Sequence, residues 1–419
     1  WTEPLGSQGP GQGYYRPVAL TVMTVTSWGG IWLVHITCAV VHAASSCMIV
    51  CLLRGHRGAL LAGLCFGLHP LGSEVLGWAS ALPDALSVCL ALAALLCIER
   101  STRWALILAV ASAASKETGI LVLGALVLGL QPTRRGWACV GIGAAFVLCS
   151  RLGLGIETQF NLDGREHMYA AAVAWPMSWL AWPQPLTVVH DLWLAPKWVL
   201  WFAPTLVFVM LWLGRKSRLA LIGVGLCVGA PLLALGPSVS GFMVAERYMY
   251  PALLGLALWV GTTIPIHRYS IALAAVLGSV SIGVHAQRAG EWTHDAALFE
   301  AAMEDEPLSS YSWHFLGEVC QREGNWYCVA RCAYRSLVYG HPPDEKRAAA
   351  TFMEAVVEVG QPEAGLQFAA DHEQDVGYLM QSDYFAWAYA RAAIHAGQLD
   401  LARTIVEAIS IQRPPEWQA

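Results

Sequence analysis

The sequence predicts an all-α protein in two parts: a polytopic membrane helix bundle of about ten spans or half-spans over 1–286, and a soluble α-solenoid over 287–419. Three observations carry this. Hydrophobic residues make up 56% of the 419-residue chain and charged residues only 13%, whereas a soluble globule is charged at about one residue in four. The apolar segments stop near Gln287, after which the chain turns polar, acidic and rich in Ala, Glu and aromatics. Within that polar part a glycine-centred turn recurs three times, at Glu323-Gly324-Asn325, Val359-Gly360-Gln361 and Ala396-Gly397-Gln398.

Taken in order, apolar segments occur at 31–53, 58–68, 75–98, 104–114, 118–130, 137–153, 198–214, 219–236, 249–266 and 270–286. Several are shorter than the roughly 20 residues a full crossing needs. Orientation follows Lys and Arg in short loops. Arg54 with Arg57, Arg100 with Arg103, Arg134 with Arg135, the Arg215-Lys216-Arg218 group and Arg268 form five basic clusters. With all five on the cytoplasmic side, each interval between them is a hairpin whose tip faces outward. Those tips are His69 to Asp84, Ser115 to Glu117, the 154–197 loop and Ser238 to Arg247. Residues 104–130 are read as two short helices broken near Lys116, because a single helix would put Arg103 and Arg134 on opposite faces. Ionisable groups near a bilayer are costly and point to function, and this topology collects His69, Glu74, Asp84, Lys116 and Glu117 on one external face. The external 154–197 loop is dense in tryptophan, with Trp175, Trp179, Trp182 and Trp193, followed by Trp198. It is expected to hold a short amphipathic helix lying at the membrane interface, where indole rings prefer to sit. That belt either anchors the fold or borders a lipid-substrate groove.

The net charge of −5 comes largely from the polar tail and argues against nucleic-acid binding, which needs a clustered basic face. Most of the twelve cysteines lie in apolar segments and behave as small hydrophobes. Cys320, Cys328 and Cys332 lie in the tail, the last two one helical turn apart, and are expected to be buried small residues, with a bond from Cys320 to either of the others as the alternative in an oxidising compartment. The chain opens at Trp1 on a Gly- and Pro-rich loop through Tyr15, so a first span is expected upstream of it.

In the tail, Trp313, Leu316, Gly317, Gly324 and Ala330 follow the Trp-x2-Leu-Gly pattern of a tetratricopeptide repeat. Five places after each glycine of the recurring turn stand Val329, Gly365 and Ala402, small enough for paired helices to approach. Three repeats reach the minimum for stacking. A solenoid of this kind offers a concave surface to a protein partner, with Trp313, Trp326 and Tyr327 as the expected contacts.

Motifs in fixed order add a resemblance. They are Tyr14-Tyr15-Arg16-Pro17, His35 and His42, His69-Pro70 with Glu74, Trp78 and Asp84, Ser115-Lys116-Glu117, Trp182-Pro183 with Pro185, Ala245-Glu246-Arg247-Tyr248 with Tyr250-Pro251, and Trp292. In this order, ahead of a repeat tail, the chain resembles the GT-C class of polytopic glycosyltransferases, particularly the transmembrane protein O-mannosyltransferases with C-terminal tetratricopeptide repeats. The resemblance implies a GT-C-like membrane domain and transfer of a sugar from a polyprenyl-phosphate donor to an acceptor, a protein, on the extracytoplasmic face. No metal ligand set is implied. Such chemistry needs a carboxylate base and cations for the lipid phosphate. Glu74, Asp84 and Glu117 are the candidate catalytic acids. Arg16, Lys116 and Arg247 are the candidate phosphate cations, with His35, His69 and Tyr248 as further substrate contacts. Structural alternatives stand beside them: Lys116 with Glu117, and Glu246 with Arg247, as mutually neutralising neighbours, and His69-Pro70 as a helix breaker.

The chain also departs from the family. The family's acidic base lies in the first external loop, where Glu3 is the only carboxylate here. Leu82-Pro83 replaces a Gly-Arg pair before Asp84, and Cys38 replaces an Asn between His35 and His42. A non-catalytic membrane scaffold on the same fold, docking a larger assembly through its repeats, is therefore the alternative. A transporter with broken helices ranks below both because the polar groups collect at one face. The expected location is a bacterial inner membrane with a periplasmic tail, or an endoplasmic-reticulum membrane with a lumenal one.

Overall fold

The apolar runs fold as helices, the form in which one segment satisfies all its own backbone polar groups away from water. The computed structural model describes residues 16–130, 132–154, 166–183, 186–235, 243–264, 268–340 and 345–412. Expectations placed on Glu3, on the loop through Tyr15, on Pro185 and on Ser238 fall outside these. Strand is confined, among the described residues, to His190–Asp191 and Met243–Val244. The chain divides into one unit of Trp1–Val188 with Ala195–Trp292, and a second of Val189–Leu194 with Thr293–Ala419.

The first unit runs α1 (Pro17–Ser27), α2 (Ile31–Leu52), α3 (Ala59–Leu68), α4 (Ser73–Gly77), α5 (Leu82–Cys97), α6 (Thr102–Ser115), α7 (Thr118–Leu130), α8 (Arg134–Leu154), α9 (Glu166–Ser178), α10 (Val199–Gly214), α11 (Arg218–Leu233), α12 (Tyr250–Thr263) and α13 (Arg268–Glu291). Three helices are long and apolar enough to cross a membrane, Ile31–Leu52, Ala79–Cys97 and Arg134–Leu152, and the bent pair Ala59–Leu68 with Pro70–Gly77 makes a fourth if taken as one span. About ten spans or half-spans were expected, and the shorter members are α6, α7, α10 and α11, apolar helices of 14, 13, 16 and 16 residues. The break near Lys116 falls where the charges placed it, and Lys116 has extended backbone (φ −160°, ψ 141°). At His69 the backbone leaves α3 in extended geometry and the chain bends by 54°, as Pro70 requires.

The Trp-rich stretch departs from expectation. Trp175 and Trp179 are buried, while Trp182, Trp193 and Trp198 are exposed. The 175–179 rings therefore pack inside the unit, because α9 lies against α10 and α11 instead of resting on a surface. Outward rings and aliphatics occur elsewhere, with Trp32 on α2, Trp201, Phe208 and Trp212 on α10, and Ile271, Val276 and Val280 on α13. An apolar surface of this extent suits lipid better than water.

Extensive close packing joins α11 to α12. Gly223 and Gly255 face each other so tightly that a Cβ on either would lie 2.4 Å from the other's carbonyl oxygen. Small residues that let backbones touch are the usual device for joining apolar helices. Around this seam Leu92, Leu95, Leu123, Leu126, Leu226, Leu254 and Leu258 form one continuous core.

The second unit runs α14 (Asp295–Asp305), α15 (Ser310–Arg322), α16 (Trp326–Val338), α17 (Glu345–Glu358), α18 (Pro362–Asp371), α19 (Glu373–Leu379), α20 (Asp383–His395) and α21 (Leu399–Gln412). Gly324, Gly360 and Gly397 all have positive φ, between 72° and 75°. After each, the next residue's N–H returns to a carbonyl five positions back, Asn325 to Cys320, Gln361 to Val356 and Gln398 to Ala393. This is one Schellman turn used three times. Its glycines are 36 and 37 residues apart, longer than the roughly 34 of a tetratricopeptide repeat. Val329 and Ala402 are buried, and Gly365 lets Met353 and Val356 close over it.

Two expectations are corrected in this unit. Cys320 and Cys328 form a disulfide, because the turn that reverses α15 into α16 brings their Cα atoms to 5.8 Å. Trp313, expected on the partner surface, is buried among Leu316, Val329 and Cys332. The ring fills the gap between paired helices α15 and α16. Trp326 is half-buried, and Tyr327 alone of the three presents its ring outward.

Residues 189–194 are held within the second unit by buried polar groups. His190 Nδ1 and Glu306 Oε1 are 2.7 Å apart, and Asp191 N–H donates to Glu306 Oε2. Burial, helped by the Glu306 charge, pushes the Asp191 carboxyl up to about 6.

Two outcomes follow. Gly255→Ala should lower the unfolding midpoint of the detergent-solubilised chain, by overpacking worth about 1–3 kcal/mol, whereas Gly225→Ala, with open space around it, should leave it unchanged or raise it. Between the ordinary aspartate value of about 4 and about 6, the folded state binds a proton at Asp191 that the unfolded state does not, so its stability falls as pH rises through this window. Protection of α14 and α15 from hydrogen exchange should drop from pH 4.5 to 7, and Asp191→Asn should flatten that drop.

Candidate functional site

Breaks between helices supply the polar groups. Glu74 sits in the first turn of α4, Asp84 in the first turn of α5, Lys116 and Glu117 between α6 and α7, and Arg247 and Tyr248 in the 3-10 turn before α12. Acidic residues are favoured at helix starts by the unpaired N–H groups there, and Pro83 at the head of α5 costs that helix no hydrogen bond.

The ion pairs join distant residues and bypass sequence neighbours. Lys116 Nζ lies 2.5 Å from Asp84 Oδ1, and both side chains are buried. Arg247 holds Glu74 twice, through its side chain at 2.5 Å and its backbone N–H at 2.6 Å. Glu246 turns the other way, to Arg288 Nη2 at 3.0 Å. The expected neutralisation of Lys116 by Glu117, and of Arg247 by Glu246, is thus replaced, since successive side chains at these breaks point into different parts of the core.

Glu117 is the looser partner. It forms ion pairs with Arg16 at 3.5 Å and with Arg151 at 3.7 Å, with a third of its side chain exposed. Among the catalytic candidates Glu74 and Asp84 are fully buried and clamped. Lys116, Arg16 and Arg247 are near enough that the charges of the two arginines act on Lys116. Aromatic faces order this cluster. Arg247 lies 4.3 Å over Trp78, and Tyr248 is between Arg247 and Lys116, at 5.1 and 5.5 Å. Trp78 in turn meets Trp292, whose ring lies where a Cβ on Gly77 would be.

The histidines are held by backbone groups. His69 Nδ1 accepts from Leu71 N–H, so its Nε2–H donates to the Leu180 carbonyl at 3.3 Å. His69 is thereby the breaker and the cap of its own turn. His35 Nδ1–H donates to the Leu76 carbonyl at 3.2 Å. His42 shares a 2.8 Å hydrogen bond with the Tyr250 hydroxyl.

Arg151 and Arg288 were not singled out from sequence. Each is the one basic residue in the last turn of its helix, α8 and α13, and a charge closing an apolar run was the available signal. Arg288 is a hub, with Nε on Ser73 Oγ at 2.7 Å, a bond to the Leu186 carbonyl and the pair with Glu246.

Chemically, the cluster offers three cations within reach of one another, aromatic walls and one partly exposed carboxylate. Such a set suits an anionic headgroup, with arginine donors in a fork that matches phosphate. Comparison with protein-family models, with curated proteins and with solved structures gave no match.

Lys116→Met or Asp84→Leu alone should destabilise the first unit by about 3–5 kcal/mol, since each leaves a buried charge unpaired. The double variant should recover most of that loss. Thermal unfolding in detergent measures all three.

Proposed function

We propose that the chain is a GT-C-like membrane glycosyltransferase that takes a sugar from a polyprenyl-phosphate donor and transfers it to a protein acceptor on the extracytoplasmic face. The second unit is read as a tetratricopeptide-like solenoid that engages the acceptor or its complex, with Tyr327 on its exposed surface. The setting is a bacterial inner membrane with this unit in the periplasm, or the endoplasmic reticulum with it in the lumen.

One observation carries the reading: at a break between apolar helices the charges of Arg16 and Arg247 both act on Lys116, and Arg16 pairs with the neighbouring Glu117. Cations there can hold a lipid phosphate while its prenyl chain stays in the bilayer, and stabilise charge as the sugar leaves. Glu74 and Asp84 keep Arg247 and Lys116 in place. Glu117, the carboxylate with access, is the candidate to take the acceptor proton.

A non-catalytic scaffold is the second reading. It is favoured by the pairing of Glu74 and Asp84, which leaves one accessible carboxylate in the cluster.

The test offers undecaprenyl-phosphate-mannose to the detergent-solubilised full chain. Arg16→Ala and Arg151→Ala should each weaken donor binding at least tenfold. Glu117→Gln should keep binding and lower transfer by about 10²–10⁴-fold, the range of a general base. Absence of lipid-phosphate binding overturns the transferase reading, recovery of the chain in a stable complex without bound lipid phosphate selects the scaffold, and a chain with neither bound lipid phosphate nor a stable partner overturns both.

A further inference from the structure

Three cysteines of the second unit have no part in that reading. Cys320 lies in the last turn of α15, and Cys328 and Cys332 one turn apart on α16, so all three sulfurs meet at the seam between the two helices, within 4.8 Å of one another. Cys320 and Cys328 form the disulfide. Cys332, buried, keeps its thiol, 3.8 Å from Cys328 Sγ. A disulfide uses two sulfurs, and the third converges on the same point without being needed for it.

We propose that the reduced trio is a three-sulfur site for a soft monovalent cation of the Cu(I) class, with the disulfide and the ion as alternative occupants. A metal about 2.3 Å from each sulfur sets the sulfurs about 4 Å apart in trigonal geometry. Cys328 and Cys332 already stand at that separation, and opening the disulfide brings Cys320 to it by side-chain rotation. Thiolates select soft ions. Among the described residues no imidazole or carboxylate joins the trio, so the fourth donor that structural zinc requires is not supplied. The surrounding groups are apolar, with Trp313, Leu316 and Val329 in the same core and Met303 and Trp326 packed against it, which disfavours water as that donor.

Loading balances in two steps. A dithiol reduces the disulfide, supplying two electrons and two protons and leaving as its own disulfide. The cation then binds the three sulfurs and releases up to three thiol protons to solvent.

The test uses the full chain in detergent, without oxygen, with Cu(I) supplied from a chromogenic chelator. The phosphine-reduced wild type should take one more equivalent than the same preparation with its disulfide intact, and one more than reduced Cys332→Ser or Cys332→Ala. Peptide mapping of the loaded wild type should show Cys320, Cys328 and Cys332 shielded from alkylation, which decides the matter even if the variants misfold. Equal uptake by reduced and oxidised chains, or alkylation of the three cysteines at the rate seen without copper, overturns the proposal, as does preference for Zn(II) over Cu(I).

Discussion

Lys116 and Asp84 are both withdrawn from solvent, and a charge so placed costs several kcal/mol unless its opposite is brought to it. The first unit meets this requirement repeatedly: Lys116 with Asp84, Arg247 with Glu74, and Arg288 with Glu246. These pairs connect the starts of α4 and α5, the break between α6 and α7, the turn before α12 and the end of α13. Such links specify one arrangement of helices whose apolar flanks alone would tolerate several. The same requirement separates the roles of the carboxylates. Those clamped by cations hold the cluster, and Glu117, with longer contacts and a third of its side chain exposed, is the least confined of the three.

Apolar packing supplies the rest of the unit. Gly223 against Gly255 brings two backbones into contact, and Gly77 opens the space that Trp292 fills against Trp78. Trp78 and Tyr248 then confine the Arg247 guanidinium from two directions. A ring-lined cation of this kind is held in one orientation by its surroundings.

The second unit rests on a different economy of means. Each Schellman turn needs one glycine in left-handed geometry, and the same turn appears at Gly324, Gly360 and Gly397. Side chains at Ser309, Asn325 and Ser382 cap the helices that follow them, satisfying N–H groups that a helix start leaves open. The buried Trp313 shows why a large aromatic residue beside a helix pair is a poor candidate for a partner contact. A large ring is favoured at a helix pair because burial stabilises it, and burial removes it from any partner.

Much of this was legible in the sequence. Apolar runs bounded by arginines marked the helices of the first unit, His69-Pro70 and Lys116 marked its breaks, and three glycines marked the turns of the second, because each signal acts through the local backbone. The residues of the polar cluster were also visible, since charge in an apolar run is conspicuous. Their partners were not. Lys116 meets Asp84 across 32 positions and Arg247 meets Glu74 across 173, and adjacency along the chain suggested other pairs. Arg151 and Arg288 were missed, and the Cys320–Cys328 bond was ranked below separate buried thiols, for the same reason. Which side chains a charge or a thiol meets is decided by the packing of remote helices, and no local pattern records that. Composition and punctuation determined the helices, and tertiary structure alone decided how their charges and sulfurs were matched.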